Sequence, residues 1–160
     1  MSNQARPVAL AFDADEWNLI VTLPRRVLIA AVSAEPAEGR AAAEGIAGIE
    51  AIASGLASAS PLVREVVGSI FAENHQEPAD VTASGESATV QTLAACRYAA
   101  ELLSQRCEAA DADAYRDWLT HIAAVVTGVS QGVSGSAAVS GRVGLAESRF
   151  LYALGGVLRP

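Results

Sequence analysis

An all-α, single-domain bundle of six to seven helices is the fold this sequence predicts, and three observations predict it. Apolar residues recur at three- and four-residue intervals along most of the chain, the spacing of one helix face. No run alternates apolar and polar residues long enough to make a strand, so no sheet is expected. The third observation is an echo. Trp17 to Ile52 and Tyr115 to Leu154 each read as an aromatic, an apolar stripe, a short loop and then a glutamate, Glu44 or Glu147, that opens a second stripe. Two related helical halves with internal pseudo-symmetry follow from it.

Residues 1–12 carry no helical period and read as a loose lead-in to a domain over 13–160. From Asp13, Ile20, Val21, Pro24, Val27, Leu28 and Ala31 fall on one face. Pro24 lacks an N–H and disfavours helical backbone at Leu23, so a kink or restart is expected there. Glu35-Pro36 ends this segment. A second helix is expected from about Ala37 to Ala57, its seam made by Ile46, Ile49, Ile52 and Leu56, with the interior glycines read as sites of close packing.

Ser60-Pro61 is a helix start: serine caps with its hydroxyl, and proline loses nothing at the first helical position. Leu62, Val63, Val66, Val67, Ile70 and Phe71 make the following stripe, which Asn74 to Pro78 stops before a connector over 79–85. Ser84 is positioned to cap a long helix in which Leu93, Cys96, Ala100, Leu103 and Cys107 recur at 3-4-3-4 spacing. Asp111 or Asp113 caps the next, whose inner face is Tyr115, Trp118, Leu119, Ile122, Val125, Val126 and Val129. A Gly/Ser loop over 131–141 precedes a last helix from about Val143 to Leu158 carrying Leu145, Phe150, Leu151, Leu154 and Val157.

Composition narrows the function. The 160 residues are 51% apolar but only 5% aromatic, and much of the apolar count is alanine, so several helices must share one core. Eighteen carboxylates face eleven arginines, with no lysine, for a net charge of −7. A nucleic-acid partner calls for a clustered basic face, and Arg25-Arg26 is the only adjacent basic pair, read as a solvated surface pair. Uniform arginine in place of lysine, with abundant alanine, fits the coding bias of a high-GC bacterium. No basic stretch followed by an apolar core opens the chain, so no secretory signal is expected. The uncharged stretch from Ile122 to Gly141 is diluted by serine, threonine and glycine, so no membrane span is expected either.

Chemistry-bearing residues are sparse. Cys96 and Cys107 lie eleven apart, ~16 Å along one helix, too far to bridge, and read as small buried hydrophobes in a reducing cytoplasm. His75 sits at a polar helix end and reads as a solvated loop residue. His121 follows Asp117 by four residues, a spacing that orients an imidazole in a catalytic pair but more often makes a boundary salt bridge. No Walker, GxSxG, HExxH or zinc-spaced Cys/His pattern occurs. Enzyme activity is therefore not expected. Hard-cation ligands are confined to carboxylates: Glu35, Glu38 and Glu44 around the first loop and Glu147 after the second. First-turn glutamates also have a structural reason, since they face the positive end of the helix dipole. Trp17, Tyr115 and Trp118 read as aromatics that lid the core.

The segments AAVSAEPAEGRAAAEGIAGIEAI (30–52) and SGRVGLAESRFLYALGGVL (140–158), with DEWNLIVTLPRRVLIAAV ahead of them, resemble the tellurite-resistance TerB-like family. The resemblance implies an all-helical protein of two related halves, a role in bacterial stress response and a divalent cation held by acidic residues. Carried over, it places Glu44 and Glu147 at the motif position and Glu35 near the loop acid of the first half. The loop Asp-Gly pair usual in the family is missing from both halves, and no acid lies between Asp117 and Glu147.

The expected function is thus a non-enzymatic, cytoplasmic TerB-like protein acting through protein partners, with weak divalent-cation binding at Glu44, Glu147 and Glu35 and no other cofactor. The alternative is a helical small-ligand-binding or protein-interaction module. The Ala/Gly seams at Gly45–Gly55 and Gly128–Gly132 suit either a monomer core or a homodimer interface.

Overall fold

Among the described residues, six α-helices and two short 3-10 turns build the protein, with no strand. The computed structural model describes residues 6–34, 41–72, 86–129 and 145–159. The helices are α1 (Ala14–Ala34), α2 (Ala41–Ser54), α3 (Pro61–Ala72), α4 (Glu86–Arg106), α5 (Ala109–Val129) and α6 (Leu145–Leu158). The expected Glu35-Pro36 and Asn74–Pro78 stops, the 79–85 connector, the Ser84 cap, His75 and the 131–141 loop all lie outside the described residues.

The start of α1 is a reciprocal cap. Asp13 Oδ1 accepts from the Glu16 N–H (2.8 Å) while Glu16 Oε2 accepts from the Asp13 N–H (2.9 Å), so two donors without helical partners are satisfied at once. Glu16 Oε1 also takes Arg106 Nη2 at 3.0 Å, tying the start of α1 to the end of α4. The lead-in is less loose than expected: Val8–Ala11 is a 3-10 turn, and the Val8 and Ala9 N–H groups donate to the Glu65 carboxylate of α3. Phe12 then stacks on Trp17, with ring centroids 5.8 Å apart.

The helix does not restart at Pro24; α1 runs through it unbroken. A proline at position 24 leaves the carbonyl of Ile20 without its helical N–H. The Tyr115 hydroxyl of α5 donates to that oxygen at 2.7 Å, inside the core, where Tyr115 is fully buried. The replacement donor arrives from 95 residues away. By length and composition α1 is the one described helix able to cross a bilayer, but Ile20, Leu23 and Val27 on it have no exposed surface in this fold.

Around α1 and α5 the other helices assemble: α2 lies mainly on α5, α4 on α1, α3 on α5 and α1, and α6 against α4, α5 and α1. The Ser60 cap forms as expected. Its hydroxyl oxygen accepts from the Val63 N–H (3.4 Å) and donates to Asp111 Oδ1 (2.5 Å), joining α3 to α5. Asp111 does not cap α5, nor does Asp113. The Glu108 carbonyl accepts from Asp111 and Ala112 instead, so the helix begins a few residues earlier and Asp111 sits in its first turn.

The core holds Ile20, Leu23 and Val27 of α1, Leu62, Val63, Val66 and Val67 of α3, Cys96, Ala99 and Leu103 of α4, Tyr115, Leu119 and Ile122 of α5, and Phe150 and Leu154 of α6. Two stripes are narrower than expected, because Phe71 at the end of α3 and Leu145 at the start of α6 are exposed. Phe71 sits in the last turn of α3 and Leu145 in the first turn of α6.

On α2 the expected seam is on the wrong face. Ile52 is buried, but Ile46, Ile49 and Leu56 are exposed, and the buried face is Glu44, Gly48, Ala51, Ile52 and Gly55. Close approach explains the choice. A Cβ on Gly48 would meet the Leu28 side chain and Val126 Cγ2, and one on Gly55 would lie 2.7 Å from Val67 Cγ2 and 2.9 Å from Trp118 Cε2. The expectation of close packing at glycines holds for these two and fails for Gly45, whose Cβ position has nothing within 4 Å. The expected second helix accordingly ends at Ser54, followed by a 3-10 turn over Gly55–Ala57.

Candidate functional site

Helix α2 carries both features that point to function, one on each face. Its inner face begins with Glu44 in the first turn, only 3% exposed. Glu147 stands in the first turn of α6 with the same 3% exposure, so the two echoed glutamates share a local position and a degree of burial. Such positions suit a carboxylate, since the first-turn N–H groups and the helix dipole favour negative charge there. Both side chains are engaged in the structure rather than free. Glu35 lies outside the described residues. Among the described residues, no three His, Cys, Asp or Glu side chains come together as a set able to hold a metal ion.

The outer face of α2 is apolar. Ile46 (60% exposed), Ile49 (56%) and, in the following turn, Leu56 (56%) recur at three- and seven-residue spacing, with Glu50 exposed beside them. Periodicity alone finds these residues but assigns them to the core, because it assumes that the larger aliphatics face inward. The signal for the true orientation is the second stripe, Glu44, Gly48, Ile52 and Gly55, in which small residues allow α2 to settle on α5.

The remaining candidates are chemically quiet in this setting. Burial, opposed in part by the Arg26 charge, pushes the Cys96 thiol up to about 12. Burial, together with the Asp111 carboxylate, pushes Cys107 up to about 11. Thiolate is the nucleophile, so these upward shifts disfavour the reactive form of both cysteines, and both are free. His121 and Asp117 are exposed on the outer side of α5, away from the Tyr115, Leu119 and Ile122 stripe, and no hydrogen bond joins them. Arg25 and Arg26 are exposed, as expected of a surface pair.

Two aromatics of α5 are structural. Tyr115 and Trp118 pack edge to face at 5.9 Å, and the Trp118 indole N–H donates to the Ala51 carbonyl of α2 at 3.2 Å. Arg116, between them in sequence, was not anticipated as a buried charge. Its guanidinium donates to Asp113 Oδ1, the Ala100 carbonyl and Ser104 Oγ, while its Nε is buried without an acceptor.

The fold and this surface define a single-domain helical bundle that presents an apolar helix face. No protein-family model matches the chain, and no curated protein or solved structure matches it.

Proposed function

We propose that the protein is a non-enzymatic helical module that acts by binding another protein through the outer face of α2. The observation that carries this reading is the stripe of Ile46, Ile49 and Leu56, each more than half exposed. Burying such a side chain fully contributes about 1.5–3 kcal/mol, so a partner that covers all three gains a substantial driving force. Contiguous apolar surface rimmed by polar residues is characteristic of interaction sites. The TerB-like resemblance supplies the setting for this reading, a bacterial cytoplasmic protein of the stress response. A second copy of the chain is one partner the face would accept.

A photo-crosslinking residue at position 49, placed in the protein within its host cell, is expected to yield one or a few discrete adducts, with another protein or with a second copy. The same residue at the exposed Glu108 position is expected to yield none. Equal adduct patterns at the two positions would remove α2 as the binding face.

A second reading adds a divalent cation. It is favoured by the matched burial of Glu44 and Glu147 in equivalent first turns. On this reading one of calcium, magnesium, manganese or zinc raises the melting temperature of chelator-treated protein by several degrees, as ligand binding to the native state requires. The gain is expected to vanish in the Glu44→Gln/Glu147→Gln double variant. If no ion shifts the transition, the cation drops out and the interaction module stands alone.

A further inference from the structure

A groove of about 490 Å³ opens between α4 and the C-terminal end of α6, lined by Arg97, Glu101, Ser104, Gln105, Val157 and Arg159 among others. It lies apart from the α2 face: none of its lining residues belongs to α2. Its charge is unusual for this chain. Arg97 and Arg159 stand on opposite walls, both exposed, and neither makes an ion pair or hydrogen bond among the described residues. Two of the eleven arginines of a molecule with net charge −7 thus flank one opening without an ion-pair partner among the described residues, although Glu101 lines it too.

A third guanidinium lies behind the wall. Arg116 is 9% exposed, and its Nη2 donates to the Ala100 carbonyl (3.1 Å) and to Ser104 Oγ (2.6 Å), two residues that line the groove. Its one carboxylate partner, Asp113, is 69% exposed and therefore well screened by water. Its Nε–H has no acceptor at all. A buried arginine with an orphan donor is costly to keep unless its charge is used.

We propose that this groove binds a small phosphomonoester, its phosphoryl group held between Arg97 and Arg159 over the positive field of Arg116. Two exposed guanidinium groups lining one groove favour the phosphoryl group: two forks suit a tetrahedral group with three free oxygens, whereas a planar carboxylate is filled by one side-on fork. Glu101, on the same α4 face as Arg97, opposes a bare anion but accepts a hydrogen bond from a hydroxyl elsewhere on the ligand. The groove thereby favours a hydroxyl-bearing phosphomonoester over inorganic phosphate. This site is independent of the α2 reading and of any cation.

The test is a phosphorus NMR titration at fixed ionic strength, using glycerol phosphate and inorganic phosphate as probes, with citrate as a competitor. Glycerol phosphate is expected to show saturable broadening, tighter than inorganic phosphate, and citrate to compete poorly. Arg97→Gln and Arg159→Gln should each weaken glycerol phosphate at least about fivefold, as loss of one charge-assisted pair requires. Glu101→Gln should tighten inorganic phosphate and erase the preference for the ester. Both arginines are solvent-facing, so the variants should melt with the wild type, which separates lost binding from lost fold. Non-saturable broadening, equal affinity in the arginine variants, or stronger binding of citrate than of either phosphate would overturn the proposal.

Discussion

Gly55→Ala is expected to lower the unfolding free energy by about 2–3 kcal/mol, a large effect for one methyl group. The new Cβ would stand 2.7 Å from Val67 Cγ2 and 2.9–3.0 Å from two ring carbons of Trp118. Neither neighbour is free to yield. Val67 is β-branched with no exposed surface, and Trp118 is held by its hydrogen bond to the Ala51 carbonyl and by its edge contact with Tyr115. Strain therefore passes into the backbone between α2 and α3. Gly48→Ala meets Leu28 Cδ1 and Cγ and, at 3.0 Å, the Cγ2 of buried Val126, and is expected to cost about 1–2 kcal/mol, less than Gly55→Ala because Leu28 is only half-buried. Gly45→Ala meets nothing and should stabilise by up to about 1 kcal/mol, the helix-propensity difference. Urea unfolding of the three variants checks the order. A Gly55→Ala protein as stable as the wild type would show that α2 is not seated as closely as described.

Tyr115→Phe is expected to cost about 1–3 kcal/mol, although it removes a single oxygen from a fully buried side chain. The reason is the Ile20 carbonyl, which Pro24 cannot serve and which the tyrosine hydroxyl reaches at 2.7 Å. Loss of the hydroxyl leaves that carbonyl in the core with no partner, and such a group carries its full desolvation penalty. A double-mutant cycle isolates the cause. In a Pro24→Ala background the restored N–H of residue 24 serves the carbonyl, so Tyr115→Phe should then cost at least about 1 kcal/mol less. Equal costs in the two backgrounds would assign the loss to something other than this bond.

Much of the architecture was legible because it rests on local patterns. The Ser60-Pro61 start needs only a cap and a proline, and the stripes of α1, α4 and α5 follow from spacing. What escaped was set by residues distant in the chain. Nothing near Val8 announces a turn, since its hydrogen-bond acceptor is Glu65, 57 residues on. Nothing near Pro24 announces that Tyr115 will spare the helix a break. The α2 error has a different origin: aliphatic spacing says that a face is apolar but not that it is covered, and glycines decided which side met α5. Of the proposed site residues, Glu44 and Glu147 were singled out in the sequence as the glutamates that open the two echoed stripes. The arginine groove between α4 and α6 joins side chains from two ends of a long sequence interval, which spacing cannot bring together.

Four bonds that tie the first three helices to α4 and α5 share one property: each joins an early residue to a late one. Glu16 meets Arg106, Ile20 meets Tyr115, Ala51 meets Trp118 and Ser60 meets Asp111. During synthesis the first three helices can pack on one another, but the surface that each gives to α5 stays uncovered until that helix follows. Contacts so far apart in sequence delay folding and prolong exposure of sticky surface. A chain cut before Tyr115 would lack the helix on which α2 and α3 pack and could not bury the apolar surface that they present.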